Sequence, residues 1–389
     1  MSWNRRRMLQ LSAAFLGGGA VGYGLHGLRL GRSAQADKGG SRLWSSAESS
    51  MPYGLPNPPR GDARIAVISD LNEAYGSTAY SDEVKWAIAL LPEWQPDVVL
   101  CGGDMVAGQK RDLSDTQVQA MWAAFDEQVA KPLRAAGLPF GFTIGNHDAS
   151  RAVRENAYFF QNERAIAANY WTDPAHDPGL PFVDRYQFPF YYSFQQQGVF
   201  YLVWDASSGA PMPVDDMAWV KRSLGSPLAQ RAKLRIVIGH LPLYAVAKER
   251  DRPGEVMDHA ADLQALLEEY GVHTYISGHH HAYYPGHVGQ LQLLHTGALG
   301  SGPRQLLQGD ALPRKTLTLV DVDLTRARTD YTTLDMQTLS LIAVQDLPRL
   351  MPSANGAVIR RDLTWDALNA QEQADCVAHL TKSVCETTT

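Results

Sequence analysis

The sequence predicts an α/β fold in which helices cover both faces of a sheet. From Arg64 onward, short apolar runs rich in Val and Ile alternate with amphipathic stretches of helical periodicity. A length of 389 residues with 45% hydrophobic side chains is typical of a globular protein with one large domain or two ordinary ones. This composition excludes collagen-like, low-complexity and wholly disordered chains, and three cysteines exclude a disulfide-scaffolded mini-protein.

The order of these segments predicts alternating strands and helices, followed by strands alone. Buried strands are expected over Ile65–Ile68, Val98–Leu100, Phe140–Ile144, Val199–Val203, Leu234–Ile238 and Thr274–Ile276. Helices are expected over Asp82–Leu91 after the cap residue Ser81, from Ser114 to Ala136, and over Arg151–Tyr170, Asp215–Leu224 and Ala260–Tyr270. After Gly278 the pattern predicts strands over Leu291–Leu294, Thr316–Val322 and Thr329–Thr333.

Residues 336–389 form a C-terminal extension. The sequence leaves open whether this extension packs against the sandwich or forms a small appendage. Strands are expected over Leu339–Val344 and Ala357–Arg360, and a helix over Trp365–Lys382. Cys376 and Cys385 can pair in an oxidising compartment if the chain breaks between them. Nine residues of one continuous helix would separate the two sulfurs too far for a disulfide.

The first 36 residues are predicted to be an export signal. The basic triplet Arg5–Arg7 precedes a Gly-rich apolar stretch, and Ala34-Gln35-Ala36 supplies an A-x-A cleavage site. Residues 4–10 resemble the twin-arginine export motif, so the precursor is expected to engage the twin-arginine machinery and reach the periplasm or the extracellular space. The alternative is an uncleaved signal that acts as a single membrane anchor. Residues 37–62, rich in Ser, Gly and Pro, are expected to be a flexible linker.

The charge of the chain argues against a nucleic-acid partner. The formal net charge is −6, and residues 1–36 contain five arginines and no acid, so the remaining 353 residues carry −11. Such an acidic protein has no general attraction for a polyanion. We therefore expect neither a nucleic acid nor a stable membrane partner.

Five predicted strands end in a residue that can bind a metal ion, and a glycine precedes four of these residues. The residues are Asp70, Asp104, Asn146 with His147, His240, and His279. Because ligands bind outside the carboxyl ends of strands in open α/β sheets, these side chains are expected to meet. Oxygen and imidazole donors suit hard or borderline divalent metals.

The motifs around these residues resemble those of the calcineurin-like metallophosphoesterase superfamily. They are S-D-L-N at 69–72, G-G-D-M-V-A-G at 102–108, G-N-H-D at 145–148, G-H at 239–240 and G-H-H-H at 278–281. The resemblance implies a four-layer α-β-β-α sandwich with two mixed sheets over residues 63–335. It also implies a hydrolase that cleaves phosphomonoesters or phosphodiesters of small molecules with two divalent metal ions.

The resemblance also implies a role for each residue of the motifs. The metal ligands would be Asp70, Asn72 and His281 for the first ion, Asp104 as the bridge, and Asn146, His240 and His279 for the second. His147 would face the scissile phosphate, and Asp148 would fix its tautomer. Two close divalent ions generate a hydroxide near neutral pH and neutralise phosphate oxygens. A positioned histidine can protonate the departing alkoxide.

Asn72 departs from the D-x-H sequence found in most of the superfamily. An amide oxygen is a harder and weaker ligand than imidazole, so among Mn, Mg, Fe and Zn this residue favours Mn. The same departure supports the alternative of a degenerate member that acts as a metal-binding scaffold or interaction protein.

Several residues near the motifs are expected to have other roles. His280 is expected to be a solvated bystander, and His287 and His295 are expected to be structural. Cys101 is expected in the core, because it lies in a buried strand. The hydroxyl-rich loop that begins at Tyr75 is open between substrate contact and ordinary surface.

Overall fold

The computed structural model describes residue 51 and residues 54–387. The predicted export signal, the alternative membrane anchor and most of the predicted linker lie outside these residues. Among the helices that are described, none combines the length and apolarity needed to cross a membrane. The end of the predicted linker packs on the body of the protein, since Leu55 is buried and the Pro56 and Pro58 carbonyls accept hydrogen bonds from Trp94 and Arg64.

The strands of the described chain are numbered β1 to β17. The first nine are β1 (Ala63–Ile68), β2 (Val98–Cys101), β3 (Phe140–Phe142), β4 (Val153–Arg154), β5 (Ala157–Tyr158), β6 (Phe182–Gln187), β7 (Tyr191–Gln196), β8 (Val199–Val203) and β9 (Leu234–Ile238). The others are β10 (Thr274–Ser277), β11 (Tyr284–Val288), β12 (Leu291–His295), β13 (Thr316–Asp323), β14 (Arg328–Asp335), β15 (Ser340–Leu341), β16 (Leu350–Ser353) and β17 (Gly356–Arg360).

The helices are numbered α1 to α10 in the same way. They are α1 (Asp82–Trp94), α2 (Asp115–Phe125), α3 (Lys131–Ala135), α4 (Asn146–Ala149), α5 (Gln161–Thr172), α6 (Val214–Leu224), α7 (Pro227–Arg231), α8 (Ala260–Glu269), α9 (Ala370–His379) and α10 (Lys382–Glu386). A π-helical turn, Asp126–Ala130, joins α2 to α3, so the helix predicted to run from Ser114 to Ala136 is continuous.

Two mixed sheets face each other with helices outside, as the four-layer α-β-β-α prediction requires. The first sheet has six strands in the order β15-β14-β13-β1-β2-β3, and the second has nine in the order β16-β17-β11-β12-β10-β9-β8-β7-β6. In β1, Ile65 and Val67 point into the apolar core between the sheets, whereas Ala66 and Ile68 pack with residues of α1 and α2. Each such fully buried Val or Ile stabilises the fold by about 1.5–3 kcal/mol.

Several local predictions differ from the structure. Helix α1 continues past Pro92 to Trp94, because a proline in the last turn interrupts little and Trp94 is buried. The helix expected from Arg151 begins only at Gln161, and β4 and β5 form a short exposed ribbon before it. Strands β6, β7 and β11 were not expected, and β6 lies at a sheet edge with most of its side chains exposed.

The C-terminal extension adds strands to both sheets. Strand β15 pairs with β14, and β16 and β17 join the second sheet through β11. Cys376 in α9 forms a disulfide with Cys385 in α10, with their Cα atoms 6.2 Å apart. The chain leaves the helical conformation at Leu380, which supplies the break that the sequence argument required.

Candidate metal centre

The predicted ligands meet where strands of both sheets end. Asp70 and Asp104 follow the parallel strands β1 and β2, and His240 and His279 follow the parallel strands β9 and β10. The His279 N–H donates to Oδ1 of Asp70 at 3.0 Å, which joins the two sheets at this edge. The carboxyl ends of the strands therefore form one site.

Four residues of the site have a left-handed backbone, which side chains other than glycine seldom adopt. The φ angles are 51° for Asp70, 54° for Asp104, 64° for His279 and 53° for His281. Each such conformation costs on the order of 1 kcal/mol and persists only where the surrounding structure holds it. These turns aim the four side chains into a common space, and such concentrated strain is typical of a functional site.

Two glycines allow the strand ends to approach each other closely. A Cβ atom on Gly145 would lie 2.1 Å from Oδ1 of Asp104, and one on Gly278 would lie 2.2 Å from Oγ of Ser69. Any side chain at these positions would push the ligand residues apart.

Asp104 lies at the middle of the site, and one of its two carboxylate oxygens lacks a hydrogen-bond partner among the described residues. Its Oδ1 accepts a hydrogen bond from the His147 N–H at 2.8 Å, whereas its buried Oδ2 has no hydrogen-bond partner among the described residues. Nε2 of His240 is 3.3 Å from that Oδ2. A buried carboxylate oxygen without a donor is costly unless a cation binds it.

A second group of lone pairs converges on Asn146. Its Oδ1 lies 2.9 Å from Nε2 of His240 and 2.8 Å from Nδ1 of His279. The other ring nitrogens face acceptors, since Nδ1 of His240 lies 2.7 Å from the Gly102 carbonyl and Nε2 of His279 lies 2.9 Å from Oε2 of Glu255. In the neutral form of each ring these partners place the proton on the outer nitrogen, so the inner nitrogens present lone pairs to an acceptor oxygen.

The first-ion group consists of Asp70, Asp104 and His281. One ligand atom from each lies within 4.8 Å of the others, and Nε2 of His281 is 3.2 Å from Oδ1 of Asp70. Nδ1 of His281 faces the Gly302 carbonyl at 2.9 Å, which again turns Nε2 inward. Asn72 is buried beside this group, and its main-chain N–H donates to the Asp104 carbonyl at 3.2 Å.

The electrostatics of the site favour a bound positive charge. Burial lowers the pKa of His240, but the charge of Asp104 outweighs it and raises that pKa to about 9. Burial raises the pKa of Asp104, yet His240 and then His147 hold it well below its usual range. Burial also raises the pKa of Asp70, but the charge of His281 outweighs it and lowers that pKa.

The two groups of donors fit divalent ions. Ligands at about 2.1 Å from an octahedral ion are about 3 Å from their neighbours, and the inner donor atoms of the second group lie 2.8–2.9 Å apart. The donor set combines carboxylate, amide and imidazole, which suits Mn, Mg, Fe or Zn rather than a soft metal. Asp104 belongs to the first group, and its Oδ2 also lies 3.3 Å from Nε2 of His240 in the second.

His147 lies beside the bridging carboxylate and is partly open to solvent. Its side chain is 19% exposed, and its Nε2 is 4.0 Å from Oδ2 of Asp104. Nδ1 lies 3.2 Å from the Gly108 carbonyl, which can only accept a hydrogen bond, so Nδ1 carries the proton and Nε2 is the nitrogen that faces the site. The exposed ring of Tyr75 lies 5.0 Å from the His147 ring, which places the hydroxyl-rich loop at the rim of the site.

Asp148 does not contact the His147 ring, contrary to the role that the resemblance implied. Its Oδ1 accepts hydrogen bonds from the Met105 and Val106 N–H groups at 2.7 and 2.9 Å, and its Oδ2 accepts one from the Gly145 N–H at 2.8 Å. Both oxygens are thus occupied in joining two loops of the site. Burial, followed by the charge of Asp104, raises the pKa of Asp148 to about 7.

Substituting Asp148→Asn is expected to lower the free energy of unfolding by about 1–3 kcal/mol, because the new amide nitrogen would face a backbone N–H. Urea denaturation of the wild type and the variant measures the change. Asp215→Asn, an exposed carboxyl in the first turn of α6, is the control. Equal stability of all three proteins would contradict the structural role.

His280 is buried rather than solvated, which corrects the bystander prediction. Its Nε2 lies 2.9 Å from the Glu255 carbonyl and its Nδ1 accepts the Val246 N–H at 3.3 Å. His287 and His295 are also buried, and both ring nitrogens of each face backbone carbonyls, as expected for structural residues.

Glu255 supports the second group of ligand atoms, around Asn146, from outside, and the sequence motifs do not predict it. Its Oε2 accepts the Nε2 proton of His279, and the Arg250 guanidinium donates to the same oxygen. Arg252 donates to its other oxygen at 3.0 Å. No motif marks this residue, because it comes from a loop that only folding brings to the strand ends.

Substituting Glu255→Gln is expected to weaken metal binding by about 10–100-fold, since loss of the charge makes His279 a poorer ligand. Isothermal titration calorimetry with Mn²⁺ on the metal-depleted protein measures the affinity. Glu127→Gln, in which the lost carboxylate is 69% exposed and pairs with Lys131, is the matched control. Equal affinity in wild type and Glu255→Gln would refute the supporting role.

Glu163 and Gln109 position Asn146 in a similar way. The Gln109 side chain accepts a hydrogen bond from Nδ2 of Asn146 at 2.6 Å, which directs Oδ1 toward the histidines. Oε2 of Glu163 accepts the Gln109 N–H at 2.9 Å and so holds this residue in place. Burial raises the pKa of Glu163 to about 7.

This raised pKa predicts a pH dependence of stability. The pKa of Glu163 is higher in the folded than in the unfolded protein. Its contribution to the free energy of unfolding is therefore complete below about pH 4.5 and lost as the pH rises through about 7. In Glu163→Gln this loss is absent. The free energy of unfolding of the variant, relative to that of the wild type, should therefore be higher at pH 8 than at pH 5 by on the order of 1 kcal/mol. Urea denaturation at both pH values tests it, and a pH-independent difference would contradict it.

The fold and the site together define an α-β-β-α domain with a cluster of candidate metal ligands at the sheet edge. The sequence profile of the calcineurin-like phosphoesterases matches residues 63–283, which is more than half of the chain. The chain therefore belongs to the calcineurin-like phosphoesterase family and contains a metallophosphoesterase domain. A comparison with curated proteins gives no match.

A solved structure shows the same fold at low sequence identity, and two others match with lower TM-scores. Purple acid phosphatase PPD1 from yellow lupin (Lupinus luteus) seeds is 15% identical, with a TM-score of 0.51 over 75% of this chain and 54% of that chain. The chain thus spans about half the length of that phosphatase. A putative 5′-nucleotidase from Staphylococcus aureus is 12% identical, with a TM-score of 0.36 over 81% of this chain and 57% of that chain. GAP50, the anchor in the inner membrane complex of Plasmodium, is 13% identical, with a TM-score of 0.44 over 72% of this chain and 87% of that chain.

Proposed function

We propose that the protein is an exported phosphoesterase that hydrolyses phosphomonoester or phosphodiester bonds of small molecules with two divalent ions at this centre. The observation that carries the proposal is the buried Oδ2 of Asp104, which lacks a donor among the described residues and lies between the two groups of ligand-type atoms. When bound, two such ions lower the pKa of a water molecule and neutralise phosphate oxygens.

The residues of this chain hold His147 in position and provide the proton for the leaving group. Asp104 and Asn146 hold His147 at the site, because the His147 N–H is bonded to Oδ1 of Asp104 and His147 follows Asn146 in α4. With its Nδ1 proton directed at the Gly108 carbonyl, His147 presents Nε2 to the departing group and, when protonated there, can donate to an alkoxide. The exposed Tyr75 ring next to it limits where the leaving group can lie.

The Cys376–Cys385 disulfide supports the proposed export, since such bonds persist mainly in oxidising compartments. The proposed route is the twin-arginine machinery. Substituting Arg5→Lys together with Arg6→Lys should keep the protein in the cytoplasm, as measured by fractionation and immunoblotting. Unchanged export of this variant would exclude that route.

Asn72 supports Mn as the preferred ion of the first group. Its amide replaces an imidazole in the motif next to Asp70, which makes the donor set harder. Elemental analysis of protein loaded with Mn and Zn in competition should show Mn retained at the more weakly bound position. Two tightly held zinc ions would contradict this preference.

Hydrolysis of aryl phosphate monoesters and diesters by the Mn-loaded protein tests the proposed activity. The chelated protein is the control, and activity is expected to return when Mn is added. A scaffold, the alternative that Asn72 allows, would show no turnover under any metal and fewer than two ions per chain. That result would overturn the proposed function.

A further inference from the structure

An open recess lies beside His281, and most of its lining is outside the segment that matches the family profile. Its lining includes Tyr283, Arg304, Leu306, Leu312, Arg314 and Leu347. The Arg304 N–H donates to the His281 carbonyl at 2.9 Å, so the recess borders the first-ion group. Tyr283 follows His281 by two residues in the chain.

The sheet register places the recess on the same edge as the metal centre. Strand β13 runs antiparallel to β1, with Thr318 opposite Val67, so its start lies next to the end of β1 where Asp70 follows. Arg314 lies two residues before β13 and therefore close to this edge. The loop that carries Arg304 crosses the same edge, because the Gly300 N–H donates to the Asp70 carbonyl at 2.7 Å.

The recess contains a guanidinium with unused donor capacity. Nε of Arg304 is buried and has no acceptor among the described residues. Its Nη1 lies 3.3 Å from Glu249, whose side chain is 82% exposed, and Arg314 lies 3.7 Å from Asp335. The exposed Arg304–Glu249 pair is worth at most about 1 kcal/mol, so an incoming anion can displace it. Asp335, the partner of Arg314, is only 9% exposed.

The remaining walls of the recess are apolar. Leu306 and Leu347 are buried at its base, whereas Leu312 is 78% exposed at its mouth. An anionic acceptor in the recess would give the guanidinium of Arg304 the partner that its Nε lacks among the described residues, and apolar walls strengthen such a charge-assisted hydrogen bond.

We propose that this recess is a leaving-group subsite that binds an anionic group carried on an apolar part of the substrate, with Arg304 as its main anchor. The proposal rests on the proposed phosphoesterase activity and names the substrate class, namely phosphate esters with a second anion. A carboxylate and a second phosphate share the required chemistry, since both accept hydrogen bonds from a guanidinium. Arg304 is here a specificity residue and takes no part in bond cleavage.

Steady-state kinetics on three aryl esters test the subsite. Phenyl phosphate, 4-carboxyphenyl phosphate and 1,4-phenylene bisphosphate are compared with wild type and Arg304→Gln, both Mn-loaded. In Arg304→Gln, kcat/KM should fall at least about tenfold more for the two anionic esters than for phenyl phosphate. The intrinsic reactivity of each ester cancels in this ratio, and the two anionic esters distinguish a carboxylate from a phosphate preference. Arg326→Gln, whose side chain is 75% exposed at the β13–β14 turn, should leave all three values unchanged.

Binding without turnover separates this proposal from the proposed activity. The fluorescence of 1-anilinonaphthalene-8-sulfonate, an apolar anion, is titrated on the full chain without metal, and Arg304→Gln should weaken its binding at least about fivefold. If no ester is cleaved but dye binding depends on Arg304, the proposed activity fails and the subsite stands. If all esters are cleaved with the same ratios in wild type and Arg304→Gln, the subsite is refuted and the activity stands. Dye binding that ignores Arg304 in a protein without turnover refutes both.

Discussion

Substituting Asp104→Asn is expected to reduce turnover of aryl phosphates by at least about a thousandfold and to lower the number of bound ions below two. Oδ2 of Asp104 is buried, has no donor among the described residues and lies 3.3 Å from Nε2 of His240. An amide at this position carries no charge to hold two cations together, and loss of such stabilisation costs several kcal/mol, or about a thousandfold in rate. Elemental analysis and steady-state kinetics on the same preparation measure both effects.

The substitution is conservative for the fold. The amide oxygen of the substituted side chain can still accept the His147 N–H, which in the wild type bonds to Oδ1 of Asp104 at 2.8 Å. Asp330→Asn is the matched control, because that carboxylate is 70% exposed on β14 and pairs weakly with Arg328. An Asp104→Asn protein that keeps two ions and the wild-type rate would show that Asp104 is not the bridge.

Substituting His147→Gln is expected to lower kcat by about 10²–10⁴-fold while the metal content stays at the wild-type value. The ring reaches the site with Nε2, which lies 4.0 Å from Oδ2 of Asp104, but it belongs to neither group of converging ligand atoms. If His147 protonates the leaving group, the loss should be larger for alkyl phosphates than for 4-nitrophenyl phosphate, whose leaving group needs no proton. Kinetics on both esters, with elemental analysis, measure this difference.

The control for His147 is His259→Gln. That ring is 66% exposed at the start of α8, and it is 3.8 Å from Asp262. Its loss should leave kcat unchanged for both esters. Loss of metal together with activity in His147→Gln would instead assign His147 to the metal ligands.

The order of strands and helices could be predicted from the sequence because it depends on local periodicity. The runs at β1, β8 and β9 are almost entirely apolar and buried on both faces, with Arg64 and Arg235 as the exceptions in composition, so their pattern alone indicates a covered sheet. Strands β6 and β7 could not be predicted, because their polar and aromatic side chains do not alternate with the period of a strand. The helix expected from Arg151 also failed, since the ribbon of β4 and β5 depends on contacts beyond its own residues.

The motif residues could be located because each one directly follows a strand. Their partners could not, because they are distant in sequence and carry no motif. Glu255 supports His279 from a loop, Glu163 holds Gln109 from the start of a helix, and Gly108 rather than Asp148 faces Nδ1 of His147. Neighbours in sequence need not be neighbours in space, and the turn at α4 directs Asp148 away from the ring that precedes it.

The sequence by itself determined the class of fold, the edge of the sheets at which ligands gather, and the residue types that meet there. These follow from periodicity and from the rule that the carboxyl ends of parallel strands share one edge. Only the tertiary structure decided which atoms point inward, because the tautomers of His240, His279 and His281 depend on carbonyl and carboxylate groups from distant segments. It alone also revealed the recess at Arg304, which forms where the start of β13 and the loop after β12 meet at the end of β1.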